Sequence, residues 1–288
     1  MPFPTSFPPQ HQSKQPGLES VMNPLPIFDD ACHVKSGDLL QDKVAIITGG
    51  DSGIGRAVAI AFAKQGSHVV IAYYNESEDD NTNKYDVEAL GRQCLPIALD
   101  ISIEANCKQI INQAINHFGK IDILVNNSAV QIEAKNFEQI TSEQFDKTFK
   151  TNVYGAFHMT QAVLPHLKSG ASIINTTSVV AYHGHDTLID YSMTKGALVA
   201  FTRSLSMSLA KSGSGIRVNA VAPGPIWTPL IPSTFDEQKV SQFGKNTPLG
   251  RAGQPVECAG AYVFLASEAA SYMTGQTIHI NGGEIVNG

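Results

Sequence analysis

Two side chains four residues apart have the types that proton transfer to a carbonyl oxygen requires. Tyr191 and Lys195 stand in "YSMTK", and on a helix this spacing places them on one face. A free phenol has a pKa near 10, so it is a poor acid/base at neutral pH. A unit positive charge about 4 Å away, at an effective dielectric constant of about 20, supplies about 4 kcal/mol, or about 3 pKa units. The pair therefore predicts a tyrosine acid/base assisted by one ammonium group.

Two further polar residues could complete this chemistry. Ser178 in "INTTSV" follows an apolar run and could hydrogen-bond a substrate oxygen on which charge develops. Asn152 stands in "KTNVYG". Taken singly, Ser178 is an ordinary strand-end cap, Asn152 a helix residue bonded to backbone, and the Tyr–Lys pair a helix surface pair. Only their joint order behind a nucleotide-binding turn favours catalysis.

The stretch "TGGDSGIG", Thr48 to Gly55, has the context of such a turn, because it follows a predicted strand and enters a predicted helix. Gly49 permits a tight turn, while Gly53 and Gly55 remove side chains where a pyrophosphate and the helix approach the backbone. N–H groups at the start of the helix would then face the anion. The spacing is T-G-x-x-x-G-x-G and not the common G-x-G-x-x-G. The stretch predicts a dinucleotide site.

The elements that must position these residues alternate between short apolar runs and longer helical periods. "KVAIIT", "SHVVIAYY" and "IDILVNN" are typical of buried strands, and "IGRAVAIAFAKQG" of a helix. Long helices are predicted over 142–168 and 190–211, and the acidic run "NESEDD" at 75–80 is interpreted as a solvated loop. The alternation predicts an α/β fold: a doubly wound parallel sheet of the Rossmann type, with three layers and about seven strands.

Composition excludes several classes of function. The net charge of -6 leaves no basic stripe for nucleic acid, and no apolar run approaches the roughly 20 residues of a membrane span. The first residues lack the features of a signal peptide. Four cysteines without C-x-x-C spacing indicate reduced thiols in a cytoplasmic protein. "HGHD" (183–186) suggests a metal at first sight, but one short loop cluster supplies too few ligands, and we expect no metal.

The first forty residues differ from the rest, because seven of the 15 prolines lie at or before Pro26. They exclude long helices and central strands, which gives a Pro-rich arm (1–40) before a single domain (41–288). The arm is either a disordered tail or an extended segment on a neighbouring subunit or on its own domain. Apolar residues that such a segment could bury are Leu18, Val21, Met22 and Leu25.

From Lys43 to Gly283 the chain resembles the short-chain dehydrogenase/reductase family, and more weakly its general-stress, glucose/ribitol dehydrogenase-like branch. The resemblance implies a catalytic tetrad of Asn152, Ser178, Tyr191 and Lys195, with Asn152 holding a water that connects the lysine to solvent. "NNSA" departs from the family's N-N-A-G at its last two residues. The implied cofactor-binding residues are Gly49, Asp51, Ser52, Gly53, Ile54, Gly55, Tyr73, Tyr74, Asp100, Ile101, Asn127, Ser128, Ala129, Tyr191, Lys195, Pro223, Gly224, Ile226 and Thr228.

The cofactor implied is NAD or NADP. The end of the second strand offers Tyr73, Tyr74 and Asn75, with Glu76 and Glu78 beyond it, so no acid stands squarely where NAD-users bind the ribose. The turn nevertheless carries acidic and polar residues where NADP-users often have a basic one. The balance marginally favours NAD with dual use.

The substrate side is expected to be a pocket under a mobile lid, the 224–250 loop. Its predicted lining is Val130, Gln131, Val180, Tyr182, His183, Trp227, Leu230 and Phe235. The resemblance implies an oxidoreductase acting on an aldehyde, ketone, alcohol or sugar-like polyol, in a homotetramer built by helix pairing. Two alternatives stay open: a catalytically silent dinucleotide-binding stress protein, and an interaction module dominated by the arm.

Overall fold

The structure is a computed structural model that describes residues 3–30, 33, 35–74 and 77–285, with only the backbone described over 77–82. One sheet of seven parallel strands runs through it in the order β3-β2-β1-β4-β5-β6-β7. The strands are β1 Val44–Thr48, β2 His68–Tyr73, β3 Cys94–Ala98, β4 Ile123–Asn126, β5 Ser172–Thr176, β6 Arg217–Pro223 and β7 Thr277–Ile280. The predicted doubly wound sheet is confirmed.

Helices cover both faces of the sheet. They are α1 Gly53–Lys64, α2 Ser77–Ala89, α3 Glu104–Phe118, α4 Ser142–Phe149, α5 Gly155–Val163, α6 Val180–His183, α7 Ile189–Lys211, α8 Glu237–Gln242 and α9 Pro255–Ala266. Helix α3 ends where Gly119 takes a left-handed φ of 74°. No helix in the described ranges combines the length and the apolarity needed to cross a membrane.

Successive strand residues point into two separate cores. Ile47 and Ile71 pack with α1 and α9 in one core, while Ile46 and Val70 pack with α3 and α5 in the other. Because both faces are buried, the central strands appear in the sequence as continuous apolar runs. Chain order reverses between β1 and β4, and the carboxyl ends of the strands there border a crevice, which is where ligands bind in open α/β sheets.

The predicted helix over 142–168 is wrong as a single element. Helix α4 ends at Phe149, a π-helical segment spans Lys150–Tyr154, and α5 resumes at Gly155 and ends at Val163. The π segment contains Asn152, whose side chain exchanges two hydrogen bonds with the backbone of Val130 (2.8 and 2.9 Å). Such interruptions are frequent at functional sites, and apolar periodicity does not reveal them.

The acidic run at 75–80 was also predicted incorrectly. Ser77–Ala89 forms helix α2, while residues 75 and 76 lie outside the described residues. The helix has no apolar stripe for periodicity to detect, and tertiary contacts hold it. Asn83 is buried and donates to the backbone oxygen of Asp51, and Asp86 pairs with Arg56 at 3.0 Å.

The described part of the arm lies on the chain's own domain. Phe7 stacks on Trp227 with ring centroids 3.9 Å apart, and the Trp227 indole N–H donates to the oxygen of Pro24 (2.9 Å). Phe7, Met22 and Leu40 are among the arm's buried apolar residues. Val21 and Leu25, expected to be buried, are 61% and 56% exposed. The arm therefore packs on the domain mainly through Phe7. The residues around Phe7 show no helical or strand periodicity, so the sequence pattern does not reveal this contact.

Candidate functional site

A cavity of about 830 Å³ lies at the carboxyl ends of the strands and brings most of the predicted site residues together. Two predicted residues, Gly55 and Asn152, do not line it and lie behind its wall. The predicted residues that line it are Gly49, Asp51, Ser52, Gly53, Ile54, Tyr73, Tyr74, Asp100, Ile101, Asn127, Ser128, Ala129, Ser178, Tyr191, Lys195, Pro223, Gly224, Ile226 and Thr228.

The glycines of the turn are required by its geometry. Gly49 and Gly53 have φ values of 61° and 51°, a region that glycine enters without strain. A Cβ on Gly55 would lie 1.9 Å from the carbonyl oxygen of Gly49, so helix α1 could not approach the turn. A Cβ on Gly53 would lie 3.0 Å from the Thr228 methyl carbon. The bare backbone forms a groove that fits the phosphates of a dinucleotide.

The turn is braced from the end of β4. The Asn127 amide donates to the carbonyl oxygens of Thr48 and Gly49, both at 3.1 Å. The Thr48 hydroxyl in turn accepts from the backbone N–H groups of Asn127 (2.9 Å) and Ser128 (3.1 Å). The family departure at Ser128 lies beside this brace, because a Cβ on Gly49 would lie 3.1 Å from the Ser128 hydroxyl oxygen.

One N–H group that was expected to face a phosphate already has a partner. Glu19 of the arm is 2% exposed and accepts the Gly53 N–H at 2.7 Å. Its other carboxylate oxygen pairs with Arg56 at 2.8 Å, and Arg56 pairs with Asp86 at 3.0 Å. The start of α1 thus offers fewer donors to an anion than the sequence predicted, and Arg56, near the start of that helix, is engaged with two carboxylates. Nothing in the sequence around Glu19 signals this contact.

Asp100, one of the implied cofactor-binding residues, lines the same cavity. Asp100 follows β3, and one of its carboxylate oxygens accepts the backbone N–H of Ser102 at 2.8 Å. Tyr74 is 56% exposed at the mouth of the cavity, whereas Tyr73 is buried.

The three polar groups of the catalytic prediction meet at the end of β5. Helix α7 presents Tyr191 and Lys195 to the cavity, and Ser178 lines the same cavity just after β5. The Lys195 ammonium nitrogen lies 5.4 Å from the Tyr191 ring centroid and donates to the carbonyl oxygen of Thr176 at 2.8 Å. Thr176, which sequence reasoning missed, stands two residues before the serine, and its hydroxyl pairs with the Tyr262 hydroxyl at 2.8 Å.

Burial acts on both ionisable groups against the predicted electrostatics. It raises the pKa of Tyr191, an effect that the Ser178 hydroxyl opposes, and it lowers the pKa of Lys195 to about 7. The direction of the Tyr191 pKa shift is therefore opposite to the one predicted from the lysine charge alone.

Asn152, the fourth residue of the implied tetrad, is 1% exposed. Its two amide hydrogens go to the carbonyl oxygen of Val130 (2.9 Å) and the hydroxyl of Thr194 (3.1 Å), and its oxygen accepts the Val130 N–H (2.8 Å). These contacts hold the loop after β4 against α7. The water relay implied for Asn152 stays a prediction.

The substrate end differs more from its prediction. Val130, Gln131, Val180, His183, Leu230 and Phe235 line the cavity as expected. Trp227 does not, because it is fully buried against Phe7, and Tyr182 packs edge-on against His279 with ring centroids 4.5 Å apart. Gln15 and Pro16 of the arm line the cavity and were missed, since no local pattern links them to a pocket.

The 224–250 loop, which was expected to form a mobile lid, is held by contacts with the arm and with the loop after β4. The Gln12 N–H donates to the oxygen of Pro232 at 2.6 Å, and His11 contacts the oxygen of Phe235 at 2.9 Å. Helix α8 is joined to the loop after β4 by an ion pair between Lys239 and Glu133 (2.6 Å). The loop therefore has restraints at several points along its length.

The "HGHD" loop borders the cavity with His183 and His185. His183 lies 3.5 Å from Glu284, and His185 lies 3.4 Å from Asp186. Across the described residues, no three histidine, cysteine, aspartate or glutamate side chains converge in a way that could hold a metal ion.

The family model described as enoyl-(acyl carrier protein) reductase matches residues 49–284. The chain belongs to the short-chain dehydrogenase/reductase family. The match begins at the first glycine of the turn and includes every tetrad residue, so the family predicted from the motifs is confirmed.

Curated relatives match over nearly the whole chain. General stress protein 39 of Bacillus subtilis is 53% identical over 284 residues, 99% of this chain and 98% of the relative. Glucose and ribitol dehydrogenase of Daucus carota is 50% identical over 289 residues, 98% of each chain. NADPH-dependent aldehyde reductase 1 of Arabidopsis thaliana, a chloroplastic protein, is 47% identical over 285 residues, 96% of this chain and 98% of the relative.

The solved structures align over nearly their whole length but cover a smaller share of this chain than the curated relatives do. The 3-ketoacyl-(acyl-carrier-protein) reductase from Brucella melitensis, complexed with NADH, has a TM-score of 0.79 at 34% identity and covers 86% of this chain and 100% of its own. A short-chain dehydrogenase from Burkholderia cenocepacia in complex with NADP has a TM-score of 0.80 at 29% identity and covers 85% and 99%. Part of this chain therefore has no counterpart in them. The predictions of an oxidoreductase with a nicotinamide dinucleotide as its cofactor are confirmed at this level.

Proposed function

We propose that this protein interconverts small aldehydes or ketones and their alcohols, sugar-like polyols included, with Tyr191 as the acid/base. The observation that supports this most is the convergence of Ser178, Tyr191 and Lys195 in the same cavity as the glycine turn. Such a convergence of a proton donor, a hydrogen-bond donor and a cation beside a dinucleotide groove is what carbonyl reduction requires.

In the reducing direction, a bound reduced nicotinamide would supply the hydride to the carbonyl carbon. Tyr191 gives its phenolic proton to the carbonyl oxygen, and Ser178 stabilises the charge that develops there by a hydrogen bond. Lys195 would hold the ribose hydroxyls of a bound cofactor with its N–H donors, and it adds positive charge when protonated. Asn152 positions the loop that carries Val130, and so the wall on which the substrate rests.

The mixed character of the cavity supports a small neutral substrate. Its substrate end combines apolar groups such as Ile231 and Phe235 with polar ones such as Gln131. Relatives named for glucose, ribitol and aldehydes agree with a small hydroxylated or carbonyl compound.

For the cofactor, we propose use of both NAD and NADP with NAD modestly favoured. Arg56, near the start of α1, is engaged with Glu19 and Asp86 and does not line the cavity. Asp51 lies in the turn itself, where a carboxylate repels a phosphate. The ratio of kcat/KM for the two cofactors tests this, and a strong NADP preference would contradict it.

We further propose a homotetramer assembled through α5 and α7. Tyr154 and Phe157 are 50% and 46% exposed, and together with Leu198 and Phe201 they line an apolar hollow between these elements. Light scattering is expected to give four chains, and Phe157→Asp to give smaller species. An active monomer on dilution of the unaltered protein would contradict the proposal.

We also propose a single domain over 41–288 and a cytoplasmic location. The seven described strands lie between Val44 and Ile280 and belong to one sheet, which supports the single domain. Cys107 and Cys258 are buried thiols whose pKa values are raised by burial, which fits a reducing cytoplasm.

A panel of aldehydes, ketones and polyols assayed with both cofactors tests the function. Turnover of at least one class that disappears in Tyr191→Phe is expected. Cofactor binding without turnover of any carbonyl or alcohol would favour the alternative, a silent dinucleotide-binding stress protein.

A further inference from the structure

The arm contributes side chains directly to the cavity in which we place the substrate. Gln15 and Pro16 are among its lining residues, in the same cavity as Tyr191. Phe7 and Met22 of the arm belong to the same buried cluster as Tyr191, Ile231 and Phe235. The arm is thus continuous with the apolar wall around the catalytic tyrosine.

Gln15 joins two segments that approach from different parts of the chain. Its amide nitrogen donates to the backbone oxygen of Gln131, after β4. The same nitrogen lies 3.3 Å from the hydroxyl oxygen of Thr234 in the 224–250 loop. Its amide oxygen accepts the Gln131 N–H at 3.3 Å. The Thr234 hydroxyl also lies 3.4 Å from the Gln131 oxygen, so the three residues close one ring of contacts.

The neighbouring backbone is packed too closely to move independently of the loop. Gly17 is buried, and a Cβ on it would lie 2.4 Å from the carbonyl oxygen of Pro229. Glu19, two residues further, is held by Gly53 and Arg56. Residues 15–19 are therefore held by contacts at two places: beside the proposed substrate pocket through Gln15, and beside the glycine turn through Glu19.

We propose that Gln15 and Pro16 are specificity-determining residues: they form a fixed wall that limits the length of the substrate. This inference rests on the proposed function and adds the arm to its substrate site. Gln15 uses its polar atoms in contacts with the protein, so it acts as a brace, and Pro16 supplies a rigid surface. A substrate longer than the space in front of this wall is excluded by contact rather than by charge.

The test compares Gln15→Ala with Gln10→Ala. Gln10 is a glutamine of the same arm whose side chain bonds to arm residues Pro8 and Asn23. For each protein, kcat/KM is measured with propanal and with octanal. Gln15→Ala is expected to raise the octanal-to-propanal ratio on the order of tenfold, because a few methylenes in an apolar pocket discriminate by that amount. Gln10→Ala is expected to keep the ratio of the unaltered protein, and the KM for the cofactor is expected to stay within about twofold in both.

Two results would overturn the proposal: an unchanged ratio in Gln15→Ala, or an equal change in both variants, which would mean that the arm acts only through stability. Gly17→Ala, which must push the arm away from Pro229, is the second variant and is expected to change the ratio in the same direction. Fluorescence of an apolar dye bound in the cavity gives a readout without turnover, and it should rise in Gln15→Ala and not in Gln10→Ala. If the unaltered protein turned over no carbonyl, the proposed function would fail, and the dye comparison would still decide the role of the arm.

Discussion

The two ends of the cavity are built in different ways. The cofactor end consists of a glycine turn and the loop after β4, joined by backbone and side-chain contacts such as those of Asn127 with Thr48 and Gly49. The substrate end consists of segments distant in sequence, and Gln15 contacts Gln131 and Thr234 across 116 and 219 residues. The comparison teaches that one end is specified by sheet register and a local motif, whereas the other depends on long-range contacts of the arm.

The largest expected effect concerns the chemistry that lies between the two ends. Tyr191→Phe removes the phenolic proton and is expected to lower kcat by about 10³-fold, within the range that general acid–base catalysis provides. Its cofactor Kd, measured by nicotinamide fluorescence, is expected to stay within about twofold, because the groove is unchanged. Tyr272→Phe, at a fully exposed tyrosine, is the control and keeps full activity.

Gly55→Ala is designed to break the cofactor end alone. The added methyl meets the Gly49 carbonyl oxygen at 1.9 Å, so the turn must move and the cofactor Kd is expected to rise more than about tenfold. Gly260→Ala, on α9 with nothing within 4 Å of its added Cβ, is expected to leave the Kd unchanged. Equal Kd values for the two variants would show that the close approach is not required.

Much of the cofactor end follows from the sequence, and the reason is local. The turn, the strand before it and the helix after it lie within one short stretch, and parallel strands bring Ser178 and Asn127 to the same edge of the sheet. The i,i+4 spacing placed Tyr191 and Lys195 on one helix face. Once these motifs are placed on their strands and helix, little of the geometry of this end depends on contacts between segments distant in sequence.

What the sequence did not predict depends on tertiary contacts. The π segment at Lys150–Tyr154 and helix α2 have no periodic signal, and the positions of Gln15 and Glu19 are set by a proline-rich chain lying on distant loops. Burial reversed the expected pKa shift of Tyr191, since desolvation depends on neighbours from several elements.

Glu19 links the arm to the cofactor end, and its removal should sharpen the comparison. Glu19→Gln keeps an acceptor for the Gly53 N–H but removes the charge that pairs with buried Arg56, so the free energy of unfolding is expected to fall by about 2 kcal/mol. Glu104→Gln, at an exposed pair with Lys108, is expected to leave the free energy of unfolding almost unchanged, because solvent screens the pair. Denaturant unfolding measures both, and equal losses would contradict a structural role for Glu19.

A last effect, similar in size to that of Glu19→Gln, is a pH dependence of stability from Lys195. Burial lowers its pKa from 10.5 to about 7, so between these values the unfolded chain binds more protons than the folded one. Stability contributed by this group therefore rises with pH from about 7 to about 10, and its cost is largest below pH 7. Relative to Lys195→Met, the unaltered protein is expected to gain about 2 kcal/mol between pH 7 and pH 9.

Unfolding free energies of the two proteins at both pH values measure this difference, with Lys108→Met at a surface lysine as the control. A constant difference between the unaltered protein and Lys195→Met would mean that the buried lysine stays charged over the whole range.

The most direct measurement follows the hydride itself. An aldehyde that the protein reduces is incubated with a nicotinamide cofactor deuterated on its hydride-donating face, and the alcohol is analysed by mass spectrometry. Direct transfer with Tyr191 as the proton donor predicts one deuterium on the carbinol carbon, and at most traces of labelled alcohol from Tyr191→Phe. The account would be contradicted if the alcohol carried no deuterium whichever face of the nicotinamide was labelled, because its carbinol hydrogen would then come from water. It would also be contradicted if Tyr191→Phe formed labelled alcohol at the same rate as the unaltered protein.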